Sequence, residues 1–536
     1  MNTLLIGIDA GCGSVFDRLS AEGCIPNIDS LREAGTCAPL ESQISPWTPS
    51  AWPSMYTGVN PGKHGVYSFV GFDGYDFELS TADDVEAHRL WTLLDHHDLS
   101  SVVVNVPVTY PPDDIDGAIV PGFMGPEDPP SHPEGILDDV RDEIGEYRVY
   151  PDYTRGDSSI PDSEKIAEYC RLIGMRGKAF RYLADRFDPD FGFVEFQKTD
   201  TVFHEFDGDW DKVKTVHEAA DDQIGQILDE HDPDNVFIAS DHGMGRYEKD
   251  EFRVNTFLED AGYVETTNGG KGMPTWNVMR DQLHEGEEVE TWEPSTVERA
   301  AAAAATVGLT ARRIGAVLEA IGLDEFAKRH APRNVARTGN EQVDFENSTA
   351  YMRLRTELGV RINLRGREPD GVVPPRRYDA VRENLIDDLE AATAPDGEPV
   401  FETVAPREVY YDGPRAEDAV DVVTVPKDFQ HFLSAEPADA YFGESTEPWN
   451  HKRDGIFVAA RDGIDTDADL TGAHLFDVAP TIMAALGLPA HEAMDGRVLP
   501  VVDGIGTQSY PSHVSKEGAE VGEDVEERLA ELGYIE

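Results

Sequence analysis

Asn235-Val-Phe-Ile-Ala-Ser-Asp241-His242-Gly243-Met244 decides the fold. Five residues of buried-strand character run straight into an acid and an imidazole, the place where an open α/β sheet presents its ligands. Other segments repeat the arrangement. Phe191 to Phe196 leads into Asp200-Thr-Val-Phe-His204, and Leu4 to Ile8 ends in Asp9 with Gly11 and Gly13 behind it. Ser101 to Val106 is another apolar run, and Gly455 to Ala459 closes the series just after Asn450-His451. Helical patterns separate the runs, among them Asp162 to Phe187 and Val216 to Glu230. Short apolar runs alternating with helices predict a mostly parallel sheet covered by helices on both faces.

From about Gly262 to Thr349 the rhythm breaks. A Gly-rich turn at Asn268 is followed by an acidic segment and by Ala-rich helix at Ala300 to Ala305, continuing through Ala311 to Ile321. We read 1–261 and 350–502 as two parts of one α/β core, 262–349 as a cap-like insertion, and 503–536 as an acidic tail whose Val521 to Leu532 forms a surface helix.

The chain has 536 residues, 104 of them acidic and 45 basic, for a formal net charge of −59. Such a charge repels nucleic acid and anionic membranes, so neither is expected as a partner. The acids are scattered among apolar runs, which excludes an acidic disordered protein and fits a salt-rich interior that screens the repulsion. The four cysteines lack metal-binding spacing, and a Cys24–Cys37 bridge stays open. The first strand meets Asp9 without a basic leader, and no apolar stretch reaches spanning length. A soluble, cytoplasmic, halophilic protein is expected.

Asp200 and His204 stand four apart, so one helical turn puts both on one face. Asp241 and His242 are adjacent, which suits a tight turn, with Gly243 permitting an unusual backbone. His451 adds a late ligand and Asp9 an early one. Mixed carboxylate and imidazole donors suit Zn, Mn, Fe or Co better than Ca or Mg. For a nucleophile, Ser45-Pro-Trp-Thr48-Pro-Ser50-Ala-Trp-Pro-Ser54-Met-Tyr-Thr57-Gly58, followed by Pro61-Gly-Lys-His64-Gly65, is dense in hydroxyls. Thr48, Ser45, Ser50 and Ser54 are all near enough to compete. His64 reads as a structural turn residue.

On these strings the chain resembles the alkaline phosphatase superfamily, in its branch of type I phosphodiesterases and nucleotide pyrophosphatases. Thr349-Ala-Tyr-Met-Arg, Gly359-Val-Arg-Ile-Asn-Leu-Arg-Gly-Arg367, Asp477-Val-Ala-Pro-Thr481 and Asp495-Gly-Arg-Val-Leu499 are similar to a predicted phosphohydrolase/phosphomutase group within it. The resemblance implies an alkaline-phosphatase-like α/β sandwich and selects Thr48, placed before Thr57-Gly58 and Pro61 to Gly65. It implies one metal on Asp200, His204 and His451, and a second on Asp9, Asp241, His242 and the Thr48 oxygen, both divalent and of Zn or Mn type. The activity implied is hydrolysis of a small phosphate ester, a diester before a monoester, through a phospho-threonine. Phosphotransfer or mutase chemistry at the same site, and a metal-binding scaffold without turnover, are the alternatives. The family's phosphate-steadying Asn is replaced by Ala51, so Lys198, Arg353 or Arg355 must serve by elimination. Gly11-Cys-Gly13 lacks the third glycine of a dinucleotide loop. Cys24-Ile-Pro-Asn-Ile28 lacks the Arg of a sulfatase, and Pro26 reads as a helix start.

The charge imbalance makes a direct prediction. Raising KCl from ~0.1 M to ~1 M shortens the screening length from about 10 Å to about 3 Å. The melting temperature should rise over that range, and a flat or falling one would contradict the salt-adapted reading.

Overall fold

The computed structural model describes residues 1–153, 159–268 and 341–513. A seven-stranded sheet runs in the order Thr36–Glu41, Asp454–Arg461, Asn235–Ala239, Thr3–Ile8, Phe191–Phe196, Ser101–Val104, Gly117–Val120. Asp454–Arg461 is antiparallel to both of its neighbours, and the pairs from Asn235–Ala239 to Gly117–Val120 are all parallel. The sheet is mostly parallel, as expected. Thr3–Ile8 and Phe191–Phe196 are buried at every position, the signature of a strand covered on both faces.

Two glycines show which helices do the covering. Gly192 lies opposite Leu4, and Gly7 opposite Glu195, so the two face opposite sides of the sheet. A Cβ on Gly192 would meet the Phe180 ring at 2.6 Å, within the helix Asp162–Phe187. One on Gly7 would meet Trp52 at 2.5 Å, within the helix Thr48–Thr57. The helix Asp162–Phe187 follows Pro161, carries Asp162 and Glu164 in its first turn and Arg186 in its last, matching the helix dipole. It packs along Trp210–His231. Pro26 opens the helix Pro26–Ala34, as the sequence predicts.

Two smaller sheets stand apart from the central one. Ala350–Tyr351, Gly359–Ile362, Val422–Pro426 and Phe401–Pro406 form one, and Leu433–Ser434, Glu251–Arg253 and Phe442–Gly443 the other. Between them the chain pairs Thr266–Asn268 with Glu341–Val343 in an antiparallel ladder. The helices expected at Ala300 to Ala305, Ala311 to Ile321 and Val521 to Leu532 lie outside the described residues. All four cysteines are free thiols, so Cys24 and Cys37 do not pair. No helix among the described residues is long and apolar enough to cross a membrane.

Gly243 differs from expectation in its reason. It begins the strand Gly243–Arg246 and is absent from the left-handed residues, so its backbone is ordinary. What it supplies is room, because a Cβ there would stand 2.1 Å from the carbonyl oxygen of Asp454. The left-handed backbone belongs instead to Ala10, at φ 59°. Gly243→Ala should therefore destabilise the fold by about 1–3 kcal/mol, read as a lower midpoint in denaturant unfolding.

Candidate metal centre

Three adjacent parallel strands end at one place and each delivers a carboxylate. Asp9 follows Thr3–Ile8 directly, Asp241 follows Asn235–Ala239 by one residue, and Asp200 sits in the first turn of the helix Lys198–Glu205 beyond Phe191–Phe196. Each is at most 1% exposed. The helix places His204 beside Asp200, with Nε2 3.2 Å from Oδ1, as the four-residue spacing predicts. His451 arrives by strand pairing, since Trp449–Lys452 runs antiparallel to Gly243–Arg246 with His451 opposite Met244. Its Nε2 lies 3.1 Å from that of His204 and 3.5 Å from Asp200 Oδ1. His242 Nε2 lies 3.2 Å from Asp241 Oδ2 and 3.4 Å from Asp9 Oδ1.

The ligand atoms of Asp200, His242 and His451 fall within 4.8 Å of one another, and so do those of Asp9, Asp241 and His242. His242 belongs to both groups, and its ring stacks on His451 with centroids 3.6 Å apart.

The donor chemistry fits cations. Neither carboxylate oxygen of Asp9 or Asp200 accepts a hydrogen bond among the described residues. His242 Nδ1 lies 3.0 Å from the Gly243 carbonyl and His451 Nδ1 2.8 Å from the Pro46 carbonyl. A carbonyl can only accept, so both Nδ1 atoms carry the proton and both Nε2 lone pairs face inward. Lone pairs of imidazoles and carboxylates then crowd one buried volume, which a divalent ion satisfies.

Titration tells the same story. Burial, then Asp241 and Asp200, pushes Asp9 well above the carboxylate range. Burial and Asp200 push Asp241 up to about 8. Burial would lower His204, but Asp200 and Glu447 hold it up at about 9. Burial and the neighbouring His451 drive His242 down. Asp200, though buried, is held well below the usual range by His204 and His451.

Among the competing hydroxyls, Thr48 meets the cluster, with Oγ1 3.4 Å from His242 Nε2 at the start of its helix. Ser50 Oγ donates to the Val66 carbonyl at 2.8 Å, and Ser45 Oγ to the Thr356 carbonyl. Ser54 is held by His64, whose buried ring receives the Val66 amide at Nδ1 and therefore donates from Nε2 to Ser54 Oγ at 2.9 Å. Ser54 Oγ in turn donates a hydrogen bond to Gln43 Oε1 (3.1 Å), and Gln43 Nε2 donates to the Ser45 carbonyl (2.9 Å). His64 is structural, as read from sequence, but its effect reaches the loop before Thr48. Nothing in the sequence flags Gln43.

Lys198 is buried, with Nζ 2.6 Å from Gln197 Oε1, and burial and Arg176 bring it down to about 7. Arg353 makes no contact with the cluster among the described residues, its guanidinium clamped on Glu357 (Nε–Oε2 3.0 Å) and stacked over Phe72. Arg355 pairs with Glu447 at 3.0 Å. Sequence reasoning did not single out Glu447. Its nearness to Asn450-His451 was the available signal.

The profile of the type I phosphodiesterase / nucleotide pyrophosphatase family matches residues 3–456. The chain belongs to that family. Family membership supports a phosphoester hydrolase, and the buried donor groups are candidates for holding divalent metals. Among solved structures, phosphonoacetate hydrolase from Sinorhizobium meliloti 1021, in complex with phosphonoformate, is 13% identical with a TM-score of 0.52, over 89% of this chain and 94% of that one. Alkaline phosphatase PafA, in a quadruple-mutant form, is also 13% identical at 0.52, over 94% of this chain and 99% of that one. At that identity the likeness is one of fold. No curated protein matches the chain.

The raised carboxyl of this phosphodiesterase-family protein makes a pH prediction. Asp241 keeps its proton to about pH 8 when folded, whereas an unfolded Asp loses it near 4. Between those values the folded state binds more protons, so stability falls as pH rises. In chelator-treated protein, Asp241→Asn should therefore gain in melting temperature relative to wild type from about pH 5 to about pH 8. With Zn added, the order should reverse.

Proposed function

We propose that this protein hydrolyses a small phosphodiester with Thr48 as nucleophile at a site holding two divalent ions of Zn or Mn type. The observation that carries the reading is the Thr48 hydroxyl, 3.4 Å from His242 Nε2 on the edge of a buried carboxylate and imidazole cluster. Asp200, His204 and His451 would hold one ion, and Asp9, Asp241, His242 and the Thr48 oxygen the other. When bound, the ions lower the pKa of the threonine hydroxyl and offset charge on the phosphoryl oxygens.

Thr48 Oγ1 forms a bond to phosphorus as the bond from phosphorus to the ester oxygen breaks; the hydroxyl proton is given up to solvent and the departing alkoxide takes one from water to leave as the alcohol. The phospho-threonine is then attacked by water, which restores Thr48 and releases the phosphate product. The helix start and the His64–Ser54–Gln43 relay hold the threonine for in-line approach. Lys198 is a buried cation whose charge interacts with Asp200 and Asp9 of the cluster. It is the proposed partner for a phosphoryl oxygen where the family's Asn is Ala51.

Charge favours a diester. A monoester near neutral pH is a dianion, and the protein adds little positive charge to meet it. Arg353 is engaged by Glu357 and Arg355 by Glu447. A monoanionic diester asks for less. The acidic composition suits action in a salt-rich cytoplasm.

The test is turnover of bis-p-nitrophenyl phosphate against p-nitrophenyl phosphate in high salt, with Zn or Mn supplied and an EDTA control. The diester should be preferred and chelator should abolish the rate. Thr48→Ala should keep at least one metal equivalent and lose at least about 10³-fold in kcat. Full activity in that variant would overturn the nucleophile assignment, and preference for the monoester would overturn the diester reading.

A further inference from the structure

His204 is oriented differently from the other two imidazoles. His242 and His451 each give their Nδ1 proton to a backbone carbonyl. His204 Nδ1 has no hydrogen-bond partner among the described residues. What faces it is a carboxylate, Glu447 Oε2, at 3.6 Å. That distance is an ion-pair contact, longer than a hydrogen bond.

Glu447 is not a loose surface acid. Asn450 Nδ2 donates to the same Oε2 at 2.7 Å, and Arg355 Nη2 donates to Oε1 at 3.0 Å. The Arg355 guanidinium lies over the Phe432 ring, 4.9 Å from its centroid. Each oxygen of the carboxylate is thus fixed by its own donor, and Oε2 is the oxygen that faces the imidazole. Asn450 does a second job in the same turn, since its Oδ1 accepts the His451 amide at 2.8 Å. One short segment, Glu447 to His451, carries one ligand and orients another.

We infer that Glu447 is the positioning residue for His204, accepting a hydrogen bond from its Nδ1–H so that Nε2 is presented to the metal shared with Asp200 and His451. This rests on the two-metal reading above and deepens it. A carboxylate partner raises the basicity of an imidazole more than a carbonyl does, and partners of this kind are worth about 10–100-fold in metal affinity. Arg355 then serves by holding Glu447 rather than by meeting substrate.

The experiment is Zn(II) binding to the full chain in high salt, measured by competition with a graded chelator. Wild type should hold two equivalents. Fewer than two would overturn the two-metal reading itself, and this inference with it. In Glu447→Gln, which keeps the volume but not the charge, one equivalent should weaken by about 10–100-fold while the other is unchanged. Adding Glu447→Gln to His204→Ala should then change nothing further, because the route through His204 is already gone. If Glu447→Gln leaves both affinities at wild type, or weakens binding as much with His204→Ala as without it, the assignment is wrong. Metal-free Glu447→Gln should unfold at a lower midpoint, because it loses the ion pair with Arg355, so it is the comparison with and without His204→Ala that separates positioning from a role in folding.

Discussion

Three carboxylates share one water-poor volume, and the rest of the structure is arranged around that fact. Asp9, Asp200 and Asp241 are each at most 1% exposed. Like charges so close in a low dielectric repel strongly, and burial alone penalises each of them. The protein's own answers are partial. His204 and His451 support Asp200, while Asp9 and Asp241 are left to retain protons far above the ordinary carboxylate range. Divalent cations held by these donors would resolve the conflict, and the grouped lone pairs are placed to take them.

Holding such a cluster open falls largely to the main chain. The rings of His242 and His451 are aimed by the carbonyls of Gly243 and Pro46. Ala10, in the left-handed region, turns its amide toward Asp241 Oδ1 at 3.4 Å. Ser240 ties the turn at Gly11 to the strand Asp454–Arg461, donating to the Gly11 carbonyl and receiving the Ile456 amide. Backbone contacts of this kind survive wide sequence change, consistent with a fold shared at 13% identity with phosphonoacetate hydrolase.

Candidate ligands are legible in the sequence where they sit at fixed offsets from a strand end. Asp200 and His204, Asp241 and His242, and Asp9 each follow an apolar run, and period and length mark those runs without any tertiary knowledge. Thr48 needed the family resemblance to be singled out, because Ser45, Ser50 and Ser54 offer the same chemistry nearby. Their hydroxyls are taken up by the Thr356 and Val66 carbonyls and by Gln43. Those partners are distant in sequence or carry no distinguishing mark. The reason for Gly243 was also misread, since the crowding comes from Asp454, more than 200 residues away.

The sequence by itself determined the alternation of strands and helices, the mostly parallel sheet, and the ends of the strands at which acids and imidazoles appear. These depend on local periodicity and on residue types within a few positions of one another. Tertiary structure alone decided that His242 stands between two ligand groups, that Arg353 and Arg355 are engaged by Glu357 and Glu447, and that Glu447 faces His204. A side chain's partner across the fold is set by how strands register and loops pack. His451 reaches the cluster through a strand pair whose other member lies about 200 residues earlier, and local sequence does not encode such a contact.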